Sequence, residues 1–598
     1  MGSITWDKNN GWAGEPYWKD AVFYQVYPAS FKDSNGDGWG DLPGLISKID
    51  YLHELGVDVI WVSPIFESPQ KDMGYDVSDY QKIYEPYGSI QDVDRLLHEA
   101  HLRDIKVILD LVVNHTSQEH EWFKESRSSK ENPKRDWYIW KPARYDENGT
   151  RHPPTNWRGY FAGPTWTWDE QTQEYYLHLY APDQPDLNWE NEECRNAIYD
   201  NTMRFWLDRG VDGFRIDTVN KYSKRQDYVD APITDPKSPH QSAPEMWCNG
   251  PRIHEFIHEM NRKVLAPFGA VSVGELSNTP HPDQVIPYVS AAAQELDMVF
   301  EFSVIRLGTG NILGPKYIYQ PFPLSKLKNL TEKWQSFVTG TDAWTTVFIE
   351  NHDNARAVSR FGDTSSTEMW IRSAKTIALW QATLTGTLFL YQGQEIGMTN
   401  MPQSWGIEEY KDVESSGFYA EAVASGDSER LRKTLHGLGH LARDHSRIPF
   451  QWDDSPHAGF TSAEAEPWMR VHDDYRSINV ARQRGDPTSI LSFYKQVLAL
   501  RKQHRELFVF GAFTLLDPEN EAVFAYTKTD AKGSRRKAVV VLNMSKEEEV
   551  GPDVAAEMSG EEPRLLVSTS GEGSMKLRGG RPVLRAWEGR VYVNYDKH

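Results

Sequence analysis

The fold is decided by residues 106–115, KVILDLVVNH, where an almost unbroken apolar run ends in polar side chains. Runs of this kind are typical of strands that are buried on both faces of a parallel sheet. Helical patterns separate it from similar runs, and residues 89–103 predict one such helix with Ser89 as its N-cap. The similar runs are residues 21–28, 57–64, 211–217, 270–276, 298–304, 346–353 and 387–393. Eight strands alternating with helices predict an α/β fold, a (β/α)8 TIM barrel.

The uneven connections predict the domain organisation. About 95 residues follow the third run, far more than one connecting helix needs. We therefore expect a barrel over residues 1–115 and 187–510, with a loop-rich domain, residues 116–186, inserted after strand 3. Short alternating strands from residue 511 predict a C-terminal antiparallel β-sandwich-like domain, residues 511–598. Because barrel active sites are built from loops at the carboxyl ends of the strands, the long insertions predict a deep, covered site.

The composition favours a folded protein and disfavours polyanionic partners. Of its 598 residues 39% are hydrophobic and 25% charged, as in globular proteins. The net charge of -21 disfavours nucleic acid and anionic membranes as partners. The 22 tryptophans suit either a large core or stacking on sugar rings. No apolar run long enough to span a membrane and no signal peptide is visible, and with only two cysteines, Cys194 and Cys248, we expect a cytoplasmic protein with free thiols.

Polar residues gather where four of the predicted strands end, so they should meet at one mouth of the barrel. They are Asp110, Asn114, His115, Arg215, Asp217, Glu275, His352 and Asp353. Two carboxylates can split an acetal: one attacks the anomeric carbon while the other protonates the leaving oxygen. Arg215 lies on the same strand face as Asp217 and would keep it ionised. The sequence has no G-x-S-x-G elbow and no Walker motif.

Four segments resemble the conserved regions of the α-amylase family of glycoside hydrolases, and they occur in the family's order. They are DLVVNH (110–115), GFRIDTVN (213–220), GEL (274–276) and ENHD (350–353). Three more segments resemble the oligo-1,6-glucosidase and maltase branch, especially the yeast-type maltases and isomaltases. They are DMGYD (72–76), QPDLNW (184–189) and ARDHSRIPFQW (442–452). The resemblance covers residues 20–598.

The resemblance implies a role for each matching residue. Asp217 would be the nucleophile that forms a β-glucosyl-enzyme, Glu275 the general acid/base, and Asp353 the ligand of the 2- and 3-hydroxyls. The implied enzyme is a retaining, exo-acting α-glucosidase that releases α-glucose from the non-reducing end of short α-glucosides. The other implied substrate contacts are Arg215, which holds Asp217; His115 and His352 on sugar hydroxyls; Tyr75 as the stacking ring; Phe161 and Tyr180 from the inserted domain; and Asp72 with Arg447 as the pair that closes the pocket.

The residue after the nucleophile bears on the linkage that is cut. In this branch α-1,6 enzymes often carry Val there and maltose-type enzymes often carry Thr, so Thr218 favours α-1,4 substrates. Sucrose is a further candidate. The sequence departs from the common family pattern at Ile448 and Phe450. For this reason α-1,6 and α-1,3 glucosides, and glucosyl transfer to sugars, remain alternatives.

Two further alternatives concern the class of protein. A sucrose isomerase or trehalose synthase shares the three carboxylates, but NARAVSRFGD (354–363) resembles the hydrolases more. A catalytically silent transporter-accessory domain is disfavoured because all three carboxylates are present and no membrane span is visible.

One loop predicts a metal site. DSNGDGWGD (33–41) sets oxygens at alternating positions around glycines, as in the first part of an EF-hand, although Gly44 stands where an EF-hand has its twelfth-position Glu. It resembles the Ca²⁺ loop of this enzyme branch, which implies one structural Ca²⁺ and no organic cofactor. The implied ligands are Asp33, Asn35, Asp37, the Trp39 carbonyl and Asp41. The expected partner is an oligosaccharide or disaccharide substrate, and the expected assembly is a monomer or weak homodimer.

Overall fold

Eight parallel strands form one sheet in which spatial neighbours follow the order of the chain, as a TIM barrel requires. The structure is a computed structural model that describes residues 15–310, 317–530, 535–558, 562–571 and 577–594. The first 14 residues of the predicted barrel domain and the last four of the predicted C-terminal domain lie outside the described residues. The barrel strands are β1 Val22–Val26, β2 Val59–Val62, β3 Lys106–Leu111, β4 Gly213–Ile216, β5 Val271–Leu276, β6 Met298–Glu301, β7 Thr346–Val347 and β8 Thr387–Tyr391.

The barrel closes between β6 and β7, the only neighbouring strands of the described barrel that do not pair through the backbone. There the Thr346 hydroxyl donates to the Val299 carbonyl at 2.8 Å. Elsewhere the register is regular: Arg215 of β4 lies between Asp110 of β3 and Val273 of β5. The predicted barrel is therefore confirmed.

Strand β7 is shorter than the sequence predicts. Residues 346–353 read as one strand, but only Thr346–Val347 pairs. The chain leaves the sheet because the Glu350 carboxylate accepts from the Ala357 backbone N–H at 2.7 Å and from Arg356 at 2.8 Å. This turns the segment that carries Asp353 toward the mouth of the barrel.

Helices cover the outside of the barrel. The predicted helix after β2 spans Ile90–His101, and Ser89 caps it in a capping box with Asp92. The other α-helices of five or more residues are Leu42–Ile46, Ile49–Leu55, Glu121–Ser128, Glu192–Ile198, Ile253–Met260, Pro282–Val289, Leu324–Ser336, Ala357–Phe361, Thr367–Ala382, Val413–Ala424, Ser428–Leu441, Val480–Arg484 and Ile490–Gln503. Over the described ranges every helix is too short or too polar to cross a lipid bilayer.

The segment between β3 and β4 has its own small sheets and core. Antiparallel strands Trp140–Lys141, Glu174–Leu177 and Trp166–Asp169 form one sheet, and Arg144–Tyr145 pairs with Arg151–His152. Its aromatic core, which includes Trp157 and Trp166, also takes in Met246 and Trp247 from the loop after β4. The two insertions thus pack together over the barrel mouth.

The C-terminal region is antiparallel, as predicted. Its larger sheet is formed by Ala512–Leu516, Val523–Thr529, Lys537–Asn543, Gly589–Val593 and Arg564–Ser568. A smaller sheet is formed by Glu549–Val550, Arg581–Leu584 and Leu577–Arg578, and a separate hairpin near the barrel pairs Phe66–Glu67 with Asp79–Ile83.

Candidate active site

The three carboxylates singled out from the sequence line one cavity at the carboxyl ends of the barrel strands. Asp217 follows β4, Glu275 lies in β5, and Asp353 comes after β7. The cavity measures about 970 Å³ counting its open mouth. Asp217 is 4% exposed and Glu275 9% exposed, so both charges depend on close partners.

Arg215 is the common partner of these carboxylates. Its Nη1 lies 2.7 Å from Asp217 Oδ1 and 2.7 Å from Asp110 Oδ1, and its Nη2 contacts Glu275. The guanidinium is 2% exposed, and its pKa is raised because the surrounding carboxylates outweigh the opposing effect of burial. One planar cation therefore bridges the predicted nucleophile and the predicted acid/base.

Burial sets the protonation of Glu275. It raises the pKa of this carboxyl, and Arg215 only partly offsets that effect. A carboxyl with a raised pKa keeps its proton to a higher pH and is better suited to give it to a leaving group. Burial also raises the pKa of Asp110 to about 7; this side chain accepts from Tyr75 OH at 3.0 Å and from Trp61 Nε1 at 3.2 Å.

Asp353 is held in the opposite state. Burial alone would raise its pKa, but Arg443, His352 and Arg447 together hold that pKa well below the usual range. Its Oδ1 lies 2.8 Å from Arg443 Nε and 3.0 Å from Arg447 Nη2. The surroundings therefore favour the ionised form of Asp353, whereas burial favours the protonated form of Glu275.

The predicted pair of Asp72 and Arg447 is not the contact that the structure contains. Arg447 binds Asp353 and, at 2.7 Å, Asp412, whereas the cation nearest to Asp72 is Arg443, at 3.6 Å. Arg443 lines the cavity and Arg447 lies behind it. Arg443 precedes the short helix Asp444–Arg447 and Arg447 ends it, and the ion pair with the distant Asp412 holds Arg447 behind the lining. Burial raises the pKa of Asp72 to about 8.

Most of the other predicted contacts also line the cavity. They are Asp72, Tyr75, His115, Phe161, Tyr180 and Thr218, while Arg215, His352 and Arg447 lie behind the lining. His352 is fully buried; its Nδ1 lies 2.7 Å from Gln25 Nε2 and its Nε2 lies 2.6 Å from Tyr75 OH. It holds the Tyr75 ring, which stacks on it with a centroid distance of 5.3 Å.

Thr218 has a strained backbone beside the nucleophile. Its φ is 41°, in the left-handed region that β-branched residues rarely adopt. Its hydroxyl donates to Asp217 Oδ2 at 3.1 Å. Arg215 and Thr218 therefore each hold one oxygen of Asp217.

Several cavity residues were not predicted from the sequence. They are Tyr160, Ser277, Phe302, Arg306, Thr309, Asn354, Ala355, Arg360, Glu414, Leu441 and Arg443. Most come from the long loops after the strands, where no periodic pattern marks the residues that turn inward. Four of them lie in segments that the sequence analysis quoted: Arg443 belongs to the same ARDHSRIPFQW segment as Arg447, and Asn354, Ala355 and Arg360 belong to NARAVSRFGD.

The predicted metal loop has oxygen donors but binds its own backbone. Asp33 accepts from the N–H groups of Asn35, Gly36 and Gly38, and Asp37 accepts from that of Trp39. Gly36 and Gly38 have φ of 82° and 91°, which lets the loop turn tightly. Within the described residues, no three His, Cys, Asp or Glu side chains are grouped to hold a metal.

Comparison with known proteins gives the same family along nearly the whole chain. The family described as alpha amylase, catalytic domain, matches residues 25–510. An alpha-glucosidase of Candida albicans is 50% identical over 582 residues, which cover 96% of this chain and 99% of that protein. An oligo-1,6-glucosidase of Saccharomyces cerevisiae is 45% identical over 591 residues, covering 96% and 98%. The crystal structure of an isomaltulose synthase mutant from Erwinia rhapontici NX5 with sucrose superposes with a TM-score of 0.89 at 36% identity, covering 98% and 100%.

Proposed function

The chain belongs to the alpha-amylase family, and on that premise we propose that it is a retaining, exo-acting α-glucosidase of the maltase type. The observation that carries the proposal is that Asp217, Glu275 and Asp353 line one cavity and that Arg215 bridges the first two. The similar alpha-glucosidase and oligo-1,6-glucosidase support an α-glucoside as substrate.

The first half of the reaction uses Asp217 and Glu275. Asp217 attacks the anomeric carbon while Glu275 gives its proton to the glycosidic oxygen, so that the C–O bond breaks and a β-glucosyl ester forms. Arg215 contacts both carboxylates through one guanidinium. That favours the short separation of retaining enzymes, roughly 5–5.5 Å, over the roughly 6.5–9.5 Å of inverting ones.

The second half reverses these proton movements. Glu275, now ionised, takes a proton from a water that attacks the ester carbon, and α-glucose leaves with Asp217 regenerated. A sugar hydroxyl in place of this water would give transglucosylation. The ionised Asp353 is suited to hold two hydroxyls of the glucosyl unit and to stabilise positive charge that develops at its ring.

Exo action is supported by the end of the cavity beside Asp353. There Arg443 lies 2.8 Å from Asp353, 3.6 Å from Asp72 and 5.5 Å from the centre of the Phe161 ring. These side chains converge on that end of the cavity, which favours one terminal glucose over a continuing chain.

Linkage preference is the finer part of the proposal. We favour α-1,4 glucosides such as maltose because the Thr218 hydroxyl binds Asp217 and faces the cavity. Sucrose is a further candidate. The second candidate is an oligo-1,6-glucosidase, the activity of one similar protein. Hydrolysis of α-1,3 glucosides and a sucrose-isomerising reaction are the remaining alternatives.

We further propose that the loop 33–41 binds one structural Ca²⁺. The donors Asp33, Asn35, Asp37, the Trp39 carbonyl and Asp41 are the hard oxygens that Ca²⁺ prefers. Since Asp33 and Asp37 now accept backbone N–H groups, the cation would replace some of these hydrogen bonds. The loop lies outside the catalytic cavity, so its role would be in stability.

The proposal also covers the cellular compartment and the oligomeric state of the protein. A cytoplasmic location is supported by Cys194 and Cys248, which are both buried and form no disulfide with one another. We expect a monomer or weak homodimer.

Initial rates of glucose release from maltose and isomaltose, at equal concentration and neutral pH, test the proposal. We expect a faster rate with maltose, and NMR of the first product should show α-glucose. β-Glucose would contradict retention, and cleavage of longer chains into mixed oligosaccharides without glucose would contradict exo action. A clear isomaltose preference would leave the mechanism intact and transfer the protein to the oligo-1,6-glucosidases.

A further inference from the structure

The arginines around the catalytic cavity fall into two groups. Arg215, Arg443 and Arg447 each contact at least one carboxylate at 3.0 Å or less. Arg306 and Arg360 also line the cavity, but neither forms an ion pair with a carboxylate of the described residues. Arg360 donates to the Leu307 carbonyl at 2.9 Å. The Arg306 guanidinium packs on the Phe302 ring at 5.0 Å and has no hydrogen-bond partner in the described part of the chain.

Arg306 and Arg360, the two cavity arginines without an ion pair among the described residues, lie on the side of the cavity that would face the leaving group. Phe302 and Arg306 follow β6, the strand next to the one that carries Glu275, and the Arg306 charge acts on Glu275. Since the general acid touches the glycosidic oxygen, groups beyond it from Asp217 face the leaving group. The Arg360 hydrogen bond to Leu307 joins it to the same loop.

The electrostatics of the two groups differ accordingly. Carboxylates raise the pKa of Arg443 and Arg447 against the effect of burial. Burial prevails at the other end, where it lowers the pKa of Arg306 and lowers that of Arg360 to about 10.

The carboxyl nearest to Arg306 along the chain is a poor counter-ion. Burial raises the pKa of Glu301 to about 7, and its Oε2 accepts from the Ser303 N–H at 2.8 Å. Arg306 and Arg360 are partly exposed and form no close ion pair with the described residues, so an anionic ligand would gain from meeting them.

We propose that the leaving-group end of this cavity binds an oxyanion, a carboxylate or phosphate carried by the leaving group, through Arg306 and Arg360. The planar fork of a guanidinium suits the two oxygens of such a group. The preferred substrates are then α-glucosides of anionic alcohols, such as a sugar phosphate or a phenolic acid. The proposal rests on the α-glucosidase activity proposed above and narrows its substrate class.

The test compares three aryl α-glucosides that differ in the para substituent of the leaving group: carboxylate, phosphate ester and neutral carboxamide. kcat/KM is measured for each at pH 7 and low salt, with the chain unaltered and with Arg306→Gln. We expect the anionic-to-neutral ratio of kcat/KM to fall about tenfold or more in the variant, the scale of one charge-assisted hydrogen bond. Whichever anionic substrate loses more identifies the oxyanion. Taking ratios cancels the intrinsic reactivity of each leaving group.

Arg432→Gln is the matched control, because it removes the same charge from an arginine that is 69% exposed. Its ratio should stay that of the unaltered chain. If Arg306→Gln fails to fold, the ratio is measured instead in Arg306→Lys and, for the unaltered enzyme, as a function of salt concentration. Salt should erase a preference for anionic substrates.

The oxyanion site is overturned if the anionic-to-neutral ratio of kcat/KM changes less than twofold in Arg306→Gln, or if this ratio does not change with salt concentration. Glucose release from all three substrates without a charge preference overturns this inference alone. No release from any of them, nor from maltose, would overturn the α-glucosidase proposal itself.

Discussion

Replacing Arg215 with lysine separates positive charge from geometry at the catalytic centre. Arg215 makes contacts in two directions, to Asp110 and Asp217 through Nη1 and to Glu275 through Nη2. A lysine ammonium keeps the charge but is a single point on a flexible stem, so it cannot bridge both carboxylates as the guanidinium does.

The expected cost follows from the contacts that are lost. A hydrogen bond between charged groups contributes about 1.5–3 kcal/mol, and two of the three contacts are lost in Arg215→Lys, giving about 3–6 kcal/mol. If the transition state needs both, kcat falls by about 10²–10⁴, at 1.36 kcal/mol for each tenfold change. Stability should fall less, because burial already raises the pKa of Asp110 and Glu275 and both can take up a proton.

The pH profile gives the more specific readout. Arg215 lowers the pKa of Glu275 against the effect of burial, so weakening this contact lets that pKa rise. Since Glu275 must be protonated to act as the acid, the alkaline limb of kcat/KM should move to higher pH in Arg215→Lys. The measurement is kcat/KM for maltose between about pH 4 and pH 9. This range of about five pH units is wide enough to contain both limbs of the profile.

A buried arginine away from the catalytic cavity is the matched control. Arg501 is 1% exposed and donates to the carbonyls of Ala382, Leu384 and Phe508. Arg501→Lys should lower Tm and leave the alkaline limb in place. If Arg215→Lys keeps kcat within about threefold and leaves the limb unmoved, Arg215 does not hold the two carboxylates in the way described.

Three further results are expected. Asp217→Ala should abolish glucose release while circular dichroism stays unchanged, and retained turnover would remove Asp217 as the nucleophile. Thr218→Val should raise the isomaltose-to-maltose ratio of kcat/KM, since it removes the hydroxyl that binds Asp217 at 3.1 Å; an unmoved ratio would cancel the linkage argument. Chelation with EGTA should lower Tm, restored by Ca²⁺ and not by Mg²⁺, with little loss of activity at low temperature; unchanged melting would argue against the metal loop.

The barrel could be predicted from the sequence because its strands are buried on both faces. Such strands are apolar almost throughout, as β3 shows, and each predicted run contains an observed strand. The end of β7 was not predictable in this way. Residues 348–353 are as apolar as a strand at their start, but Glu350 binds the Ala357 N–H and Arg356 outside the sheet. These contacts depend on a helix that forms later in the chain.

The site residues also differ in how far the sequence alone predicts their positions. Asp217, Glu275 and Asp353 follow or end strands, so their convergence follows from barrel geometry. Arg443 and Arg447 stand four residues apart around one short helix, a spacing at which either can turn toward the cavity. Asp412, a distant residue with no motif of its own, binds Arg447 and leaves Arg443 at the lining. The sequence pattern therefore identifies the segment, while the choice between the two arginines is made by a long-range ion pair.

Asp110 shows how one strand-end carboxylate couples the two sides of the site. Its Oδ1 binds Arg215, which holds Asp217, and its Oδ2 accepts from Tyr75 OH, the ring predicted to stack on glucose. The side chain has 1% exposure, so it is closed off from a substrate and acts through these partners. A bound sugar that shifts Tyr75 changes one hydrogen bond of Asp110, and Arg215 must respond because it shares that carboxylate. The nucleophile and the stacking ring are thus positioned by one buried charge, which explains why a carboxylate is kept there at the cost of desolvation.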